Sequence, residues 1–530
     1  MSVPNSSDGN RASSGRAQVL RAAGIVSAAF VLSRLLGLAR VAVIANYYGA
    51  TSAEINAYQI ANRIPETIFF IVAGGALGSA FIPTFAAYFA RDDARGGWML
   101  FSAVINLVLV ILAVISVAVA IFAVPFLTLY LPELQETPEM LALTASLLRI
   151  QLMSTVIFGA SGVFMGALNA RQHFLLPALA PSIYNLGIMA GAVLMAPNIK
   201  GLAWGAVVGA AGHLLIQLPG LYRQGVRYTP IFSVRHRGVQ QVLRLMAPRV
   251  LGLSFSQINN LIIPMLAPSM LVIAPLDFAW RIVLMPQSIL GQALGIAAFP
   301  TFATLAAEGD LPQMRRILAD TLRLIFFIGL PATILFMTLN DPLIVFALER
   351  GAFDVRDSSL VAWALLFYAP GLVALAGLEV VSRAFYAMED TVTPVVAGAI
   401  QLALMASLGY FFTSWLFPSL GWAALGGLAL GVSLSNLLET GVLLWLLRRK
   451  MAGVDGRHLL DGLWRIGLAG GAMIVVALLT RGLFAEAGAF WQLLAGSLTA
   501  GVSYLLASFG LQLAELRQLL RRVATLRIGN

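Results

Sequence analysis

The chain has 530 residues, 59% hydrophobic and 11% charged, with a mean hydropathy of +0.86. Soluble domains carry about 25% charged residues, so a water-soluble enzyme is excluded, and the lack of cysteine excludes disulfides, thiolate metal sites and a cysteine nucleophile. A net charge of +10, from 34 basic and 24 acidic residues, reads in so apolar a chain as arginine-rich cytoplasmic loops and not as a nucleic-acid surface.

Residues 1–21 are polar and are expected to form a disordered cytoplasmic tail, without the apolar core of a signal peptide. Fourteen apolar segments follow, at 22–47, 56–90, 99–125, 138–170, 177–197, 201–223, 239–266, 272–306, 313–338, 357–388, 393–417, 420–448, 459–484 and 488–515. A crossing needs about 20 apolar residues, so the fold class is an all-α polytopic membrane protein of fourteen transmembrane helices. Segments longer than 30 residues are expected to tilt, kink or project beyond the bilayer.

With the N-terminus inside, the cytoplasmic loops and tails carry 20 basic residues and the external loops only 4, namely Lys200, Arg350, Arg356 and Arg481. That asymmetry places both termini in the cytoplasm. The sequence also repeats. AFIPTFA at 80–86 matches AAFPTFA at 297–303, an offset of 217, and Ala167, Ala170 and Pro177 match Ala384, Ala387 and Pro394 at the same offset. SRLLGL at 33–38 resembles PRVLGL at 248–253. The offset covers six segments, which predicts an N-lobe (22–223, helices 1–6) and a pseudo-symmetric C-lobe (239–448, helices 7–12). Helices 13 and 14 (459–515) fall outside the repeat, and 516–530 reads as a second cytoplasmic tail.

Charges inside the apolar segments are costly, at least about 2.5–3.5 kcal/mol each near a helix centre. Arg244, Arg323 and Arg465 stand near cytoplasmic ends, where the guanidinium reaches the headgroups, and Arg149 and Arg383 are also read as end residues. Arg34, Arg40 and Arg281 are harder to place, with Arg63 and Arg249 as weaker companions. They point to a cationic cavity between the lobes, because the planar guanidinium fork suits a diphosphate. Asp277, four residues before Arg281, supplies the alternative of an ion pair on one helix face. Glu379 and Glu439, with Asn436 one turn away, are candidates for binding a coupling ion, although hydrogen bonds between packed helices are the alternative. Asp92-Asp93 reads as a solvated turn. His173, His213, His236 and His458 are scattered, so no metal site is expected, and no P-loop or nucleophile elbow is present.

Several stretches carry a family resemblance: SRLLGLAR at 33–40, SAFIPTF at 79–85, GALNARQHFLLPALAPSIYN at 166–185 and APRVLGLSFSQIN at 247–259. MPQSILGQALGIAAFPTFATLA at 285–306 and ERGAFD…YAPGL…SRAFYAMEDTVTP across 349–394 complete the set. The chain resembles the MurJ (MviN) family of lipid II flippases, in the multidrug/oligosaccharidyl-lipid/polysaccharide exporter superfamily. The resemblance implies a monomeric transporter of the bacterial cytoplasmic membrane, neither enzyme nor nucleic-acid binder. It would flip undecaprenyl-diphosphate-linked peptidoglycan precursor by alternating access. It implies that Arg34, Arg40 and Arg281 grip the diphosphate and that helices 13–14 form a groove for the lipid tail, with Leu468, Leu478 and Leu498 as candidates.

Family acids or arginines are replaced here at Val41, Asn56, Phe69, Phe70 and Gly74, and the sodium-site acids of some members by Ile263 and Gly409. No cofactor is expected, and the drive would be membrane potential, H+ or Na+, with the sodium site depleted. Two other readings stay open: a flippase for another polyprenyl-linked glycan or a drug/cation antiporter of the superfamily, and a non-transporting scaffold for cell-wall assembly.

Overall fold

The computed structural model of the protein describes residues 28–29, 31–71 and 76–517, without the side chains of 76–79, 248–249 and 251–256. The N-terminal tail 1–21, residues 518–530 and Gly74 lie outside the described residues. Among those described, all regular structure is helical. Ten helices are long and apolar enough to cross a membrane, eleven if one bent pair counts as a single span, so the chain is a multi-pass membrane protein.

The first half runs α1 (31–48), α2 (Ala53–Phe69), α3 (Ala76–Ala90), α4 (Ala94–Ile121), α5 (Ala123–Tyr130), α6 (Pro138–Ala170), α7 (Leu175–Met195), α8 (Lys200–Leu215) and α9 (Leu218–Arg223). The second half starts with α10 (Arg237–Leu266), α11 (Ile273–Gln287), α12 (Ala293–Glu308), α13 (Leu311–Thr338) and α14 (Asn340–Leu348). It continues through α15 (Val355–Tyr368), α16 (Gly371–Ala387), α17 (Val392–Phe411), α18 (Phe417–Ser419) and α19 (Leu425–Lys450), and α20 (Gly456–Leu483) and α21 (Ala489–Gly510) close the chain. The sequence offset of 217 reappears in the helix bounds. Added to α4 it gives 311–338, the bounds of α13; added to α6 it gives 355 and 387, the start of α15 and the end of α16.

Turn chemistry repeats with it. Asp93 Oδ1 accepts from the Gly96 amide at 2.8 Å and caps α4, and 217 residues on Asp310 Oδ1 accepts from the Gln313 amide at 3.0 Å and caps α13. Each cap follows a residue of positive φ, Asp92 (57°) and Gly309 (74°). Asp92-Asp93 is thus a helix-capping turn.

One long segment is continuous in the first half and broken in the second. α6 runs unbroken for 33 residues, whereas α15 and α16 meet at 46°. Pro370, with no amide hydrogen and a ring that clashes with the carbonyl four residues earlier, stands at the break. The equivalent first-half residue is Met153. The segment read as one helix over 272–306 is a single span, Met270–Glu308, that carries a π-type turn at Ser288–Gln292 between α11 and α12.

By contacts the chain forms two compact units, Met1–Tyr48 with Ala57–Gln257, and Gly49–Asn56 with Ile258–Asn530. The first is centred on Phe81, Phe85, Trp98, Phe101, Leu112 and Val163, all buried, with a run of edge-on and tilted rings through Phe85, Phe89, Trp98 and Phe101. In the same unit α7 and α8 cross in backbone contact. A Cβ on Gly209 would lie 2.7 Å from the Tyr184 carbonyl oxygen, and one on Gly205 2.7 Å from that of Gly187. Only glycine permits that approach in a lipid-embedded pair.

In the second unit, α13, α20 and α21 enclose Phe327, Ile466, Met473 and Tyr504 together with Leu513 and Leu516 beyond α21. Arg323 on α13 does not reach for headgroups. It is 5% exposed, paired with Glu515, and donates to the His458 carbonyl at 3.2 Å, while His458 Nε2 meets Asp320 Oδ1 at 2.9 Å. Gly462 leaves the space that the guanidinium fills. A buried arginine is tolerated where a carboxylate and hydrogen bonds replace its water.

Candidate functional site

The candidate arginines divide between the units. Arg34 and Arg40 stand on α1, the first exposed and the second half-buried, and Arg63 is half-buried on α2. Arg63 lies within electrostatic reach of Tyr130 on α5. Arg249 falls in α10, where its side chain lies outside the described residues. These four belong to the first unit and Arg281 to the second. Arg281 Nε is paired with Asp277 Oδ2 at 2.6 Å, one helical turn away, with side-chain exposures of 27% and 13%. The i,i+4 pair anticipated from spacing is therefore present. It orients the guanidinium by one edge.

On α16, Arg383 Nη1 donates to Glu379 Oε2 at 2.6 Å and to the Glu379 carbonyl at 2.9 Å. Two glycines of the π-turn and α12 make room for the pair: Gly295 abuts the Arg383 guanidinium, and a Cβ on Gly291 would lie 3.2 Å from Glu379 Cγ. Glu439 on α19 faces Gly398 of α17, its Oε1 3.6 Å from where a Cβ there would lie. Tyr386, one turn beyond Arg383, lies within electrostatic reach of Glu379, Arg383 and Glu439. Asn436 donates to the Val432 carbonyl at 2.8 Å and so turns back on its own helix.

A second polar knot went unread in the sequence. Asp357 on α15 is 2% exposed and accepts from the Ala50 and Thr51 amides at 3.0 and 2.8 Å. It also shares a capping box with Asp354. Asn56, fully buried, accepts from the Ala274 amide at 2.7 Å in the first turn of α11 and donates to the Ala50 and Ser52 carbonyls at 3.0 and 2.8 Å. An amide here satisfies donors and acceptors together, which a carboxylate cannot. The D-x-x-D spacing of 354–357 was the available signal for the cap. Nothing local announced a partner 307 residues away.

Asp390, in the turn between α16 and α17, is held below the usual carboxylate range, first by the Lys450 ammonium at 2.6 Å and further by the Thr393 amide and hydroxyl.

Helices of this length, bearing charges within apolar segments and repeated at a fixed offset, define a multi-pass helical membrane protein built on an internal repeat. A solved structure titled an inward-facing multidrug resistance MATE family transporter of the MOP superfamily aligns over 80% of this chain and 96% of its own, with a TM-score of 0.66 and 16% identity. A solved lipid II flippase MurJ, in an inward closed conformation, aligns over 91% of this chain and 97% of its own, with a TM-score of 0.76 and 24% identity. The family model described as lipid II flippase MurJ matches residues 44–499. The lipid II flippase MurJ of Burkholderia cenocepacia is 30% identical over 437 residues, covering 79% of this chain and 83% of the relative. A probable lipid II flippase MurJ of Bdellovibrio bacteriovorus is 27% identical over 516 residues, covering 94% of each. The chain belongs to the MurJ lipid II flippase family.

Proposed function

We propose that the protein flips the undecaprenyl-diphosphate-linked peptidoglycan precursor, lipid II, from the inner to the outer leaflet of the bacterial cytoplasmic membrane. The observation that carries this reading is the family match across residues 44–499. Fourteen crossings, both termini cytoplasmic, form two six-helix lobes followed by the α20–α21 pair, and the lobes open in turn to either side. Arg34, Arg40 and Arg281 hold the diphosphate, with Arg63 and Arg249 in lesser roles.

The physical basis is charge. A diphosphate entering an apolar span loses its hydration, and guanidinium forks return two hydrogen bonds each to its oxygens. The contact of Asp277 with Arg281 Nε fixes the aim of the guanidinium, which reduces the entropy lost on binding.

The test is rescue of a flippase-depleted bacterium. Arg34→Ala, Arg40→Ala and Arg281→Ala should each abolish rescue while the protein is still found in the membrane fraction. Normal rescue by all three would sink the arginine assignment.

A further inference from the structure

The second unit contains an intramembrane charge set that does not balance. Glu379 is bonded to Arg383. Glu439 stands on the inward stripe of α19, between buried Asn436 and Leu443, fourteen residues into a 26-residue helix. Among the described residues it has no hydrogen bond and no ion pair, and its neighbours are committed elsewhere: Asn436 to the Val432 carbonyl and Thr440 to those of Ala374 and Asn436. With both acids ionised the set carries one net negative charge; with one proton it carries none. An unpaired carboxylate removed from water costs several kcal/mol.

Access is the second observation. A cleft of about 490 Å³ is lined by Phe299, Ala303, Leu311, Tyr386, Met388 and Glu389, and its Tyr386 is the residue within reach of Glu379, Arg383 and Glu439. From α16, Tyr386 stands within electrostatic reach of Glu439, while Glu379 and Arg383 are paired with each other against Gly291 and Gly295. α17 and the following π-turn carry no charged residue, and Arg356 and Asp357 of α15 stand in that helix's first turn, remote from the centre of α19.

We propose that Glu439 is a proton-exchange site, loaded and unloaded through the Tyr386 cleft, while Glu379 is engaged by its ion pair with Arg383. The carboxylate takes a proton from hydronium and releases water, and the reverse step returns it. As an input to transport the site rests on the flippase reading above; as a proton site it stands apart from it.

Infrared difference spectra of the full-length protein in lipid nanodiscs, without lipid II, test the site directly. A carboxylic-acid carbonyl band should grow in as pH is lowered from about 9 to 5, the range open to a buried glutamate. Glu439→Gln should lose that band and Glu379→Gln should keep it. Glu439→Asp should keep a titrating band at a shifted frequency, so the assignment survives a Gln variant that fails to fold. No titrating band in the wild type, or an unshifted band in Glu439→Asp, would overturn the proposal. A protein that shows the band but fails to rescue a flippase-depleted cell would overturn the flippase reading and leave the proton site standing.

Discussion

The two halves share one helical frame and fill it differently. At the α3–α6 contact, Phe81 is fully buried and its ring lies 3.0 Å from where a Cβ on Gly166 would be. At the corresponding place 217 residues on, Phe81 is replaced by Ala298 and Gly166 by Arg383. Gly162 likewise becomes Glu379, and the matching position of α6's unbroken turn becomes Pro370. One half spends the space on an aromatic ring, the other on an ion pair beside a helix break. Hydrocarbon packing needs no partner in a bilayer, whereas a charge pair persists there at a cost. The difference leaves the first half's contact apolar and the second half's charged.

Substitutions sharpen that contrast. Phe81→Ala should cost the most, about 4 kcal/mol, because it empties a fully buried aromatic site. The check is thermal unfolding in detergent, and a loss under about 1 kcal/mol would show that the first half is not held by this ring. Next comes Met153→Pro, which places in α6 the break that Pro370 makes between α15 and α16. It should cost about 3 kcal/mol, since α6 is continuous through that turn. An unchanged melting temperature would mean that the two halves tolerate the bend equally and that the frame, not the proline, sets it.

The smallest effect concerns the turns that follow α6 and α16. Asp390 meets Lys450, whereas the equivalent first-half residue is His173. The folded carboxyl is depressed below its unfolded value of about 3.9, so its stabilisation is fully present above that value and lost as pH falls through the lower, folded one. The pair lies in a turn and is partly exposed, so solvent screens it and the effect is small. Melting temperatures measured from about pH 6 to 3 should fall slightly less in Lys450→Met than in the wild type; identical profiles would dismiss the ion pair as a contributor.

Much of the frame was legible in the sequence. The segment read at 138–170 is α6 over the same residues, and that at 313–338 begins two residues after α13 does. Apolar length reports such helices directly, because the bilayer requires a continuous hydrogen-bonded run. The breaks were less visible. Pro370 could have been read as an interruption, but proline also sits inside α7, α11 and α13 without a comparable break. Packing against neighbours decides which prolines bend a span. Arg323 was misplaced for a related reason: its depth in the chain fitted a headgroup contact, while its partners Glu515 and His458 are 192 and 135 residues away.

By itself, then, the sequence determined that the chain lies in a membrane, that it repeats, and which few charges fall within its apolar segments. These follow from local composition and from transfer free energy, which acts residue by residue. Only the tertiary structure decided which of those charges are neutralised. Glu379 has Arg383 four residues on and Glu439 has no such neighbour, but packing alone shows that pair filling a space opened by Gly291 and Gly295, and Glu439 facing Gly398 with Tyr386 of α16 in reach. Coulomb energy in a medium of low polarity depends on separations of a few ångströms, and packing between distant segments sets them.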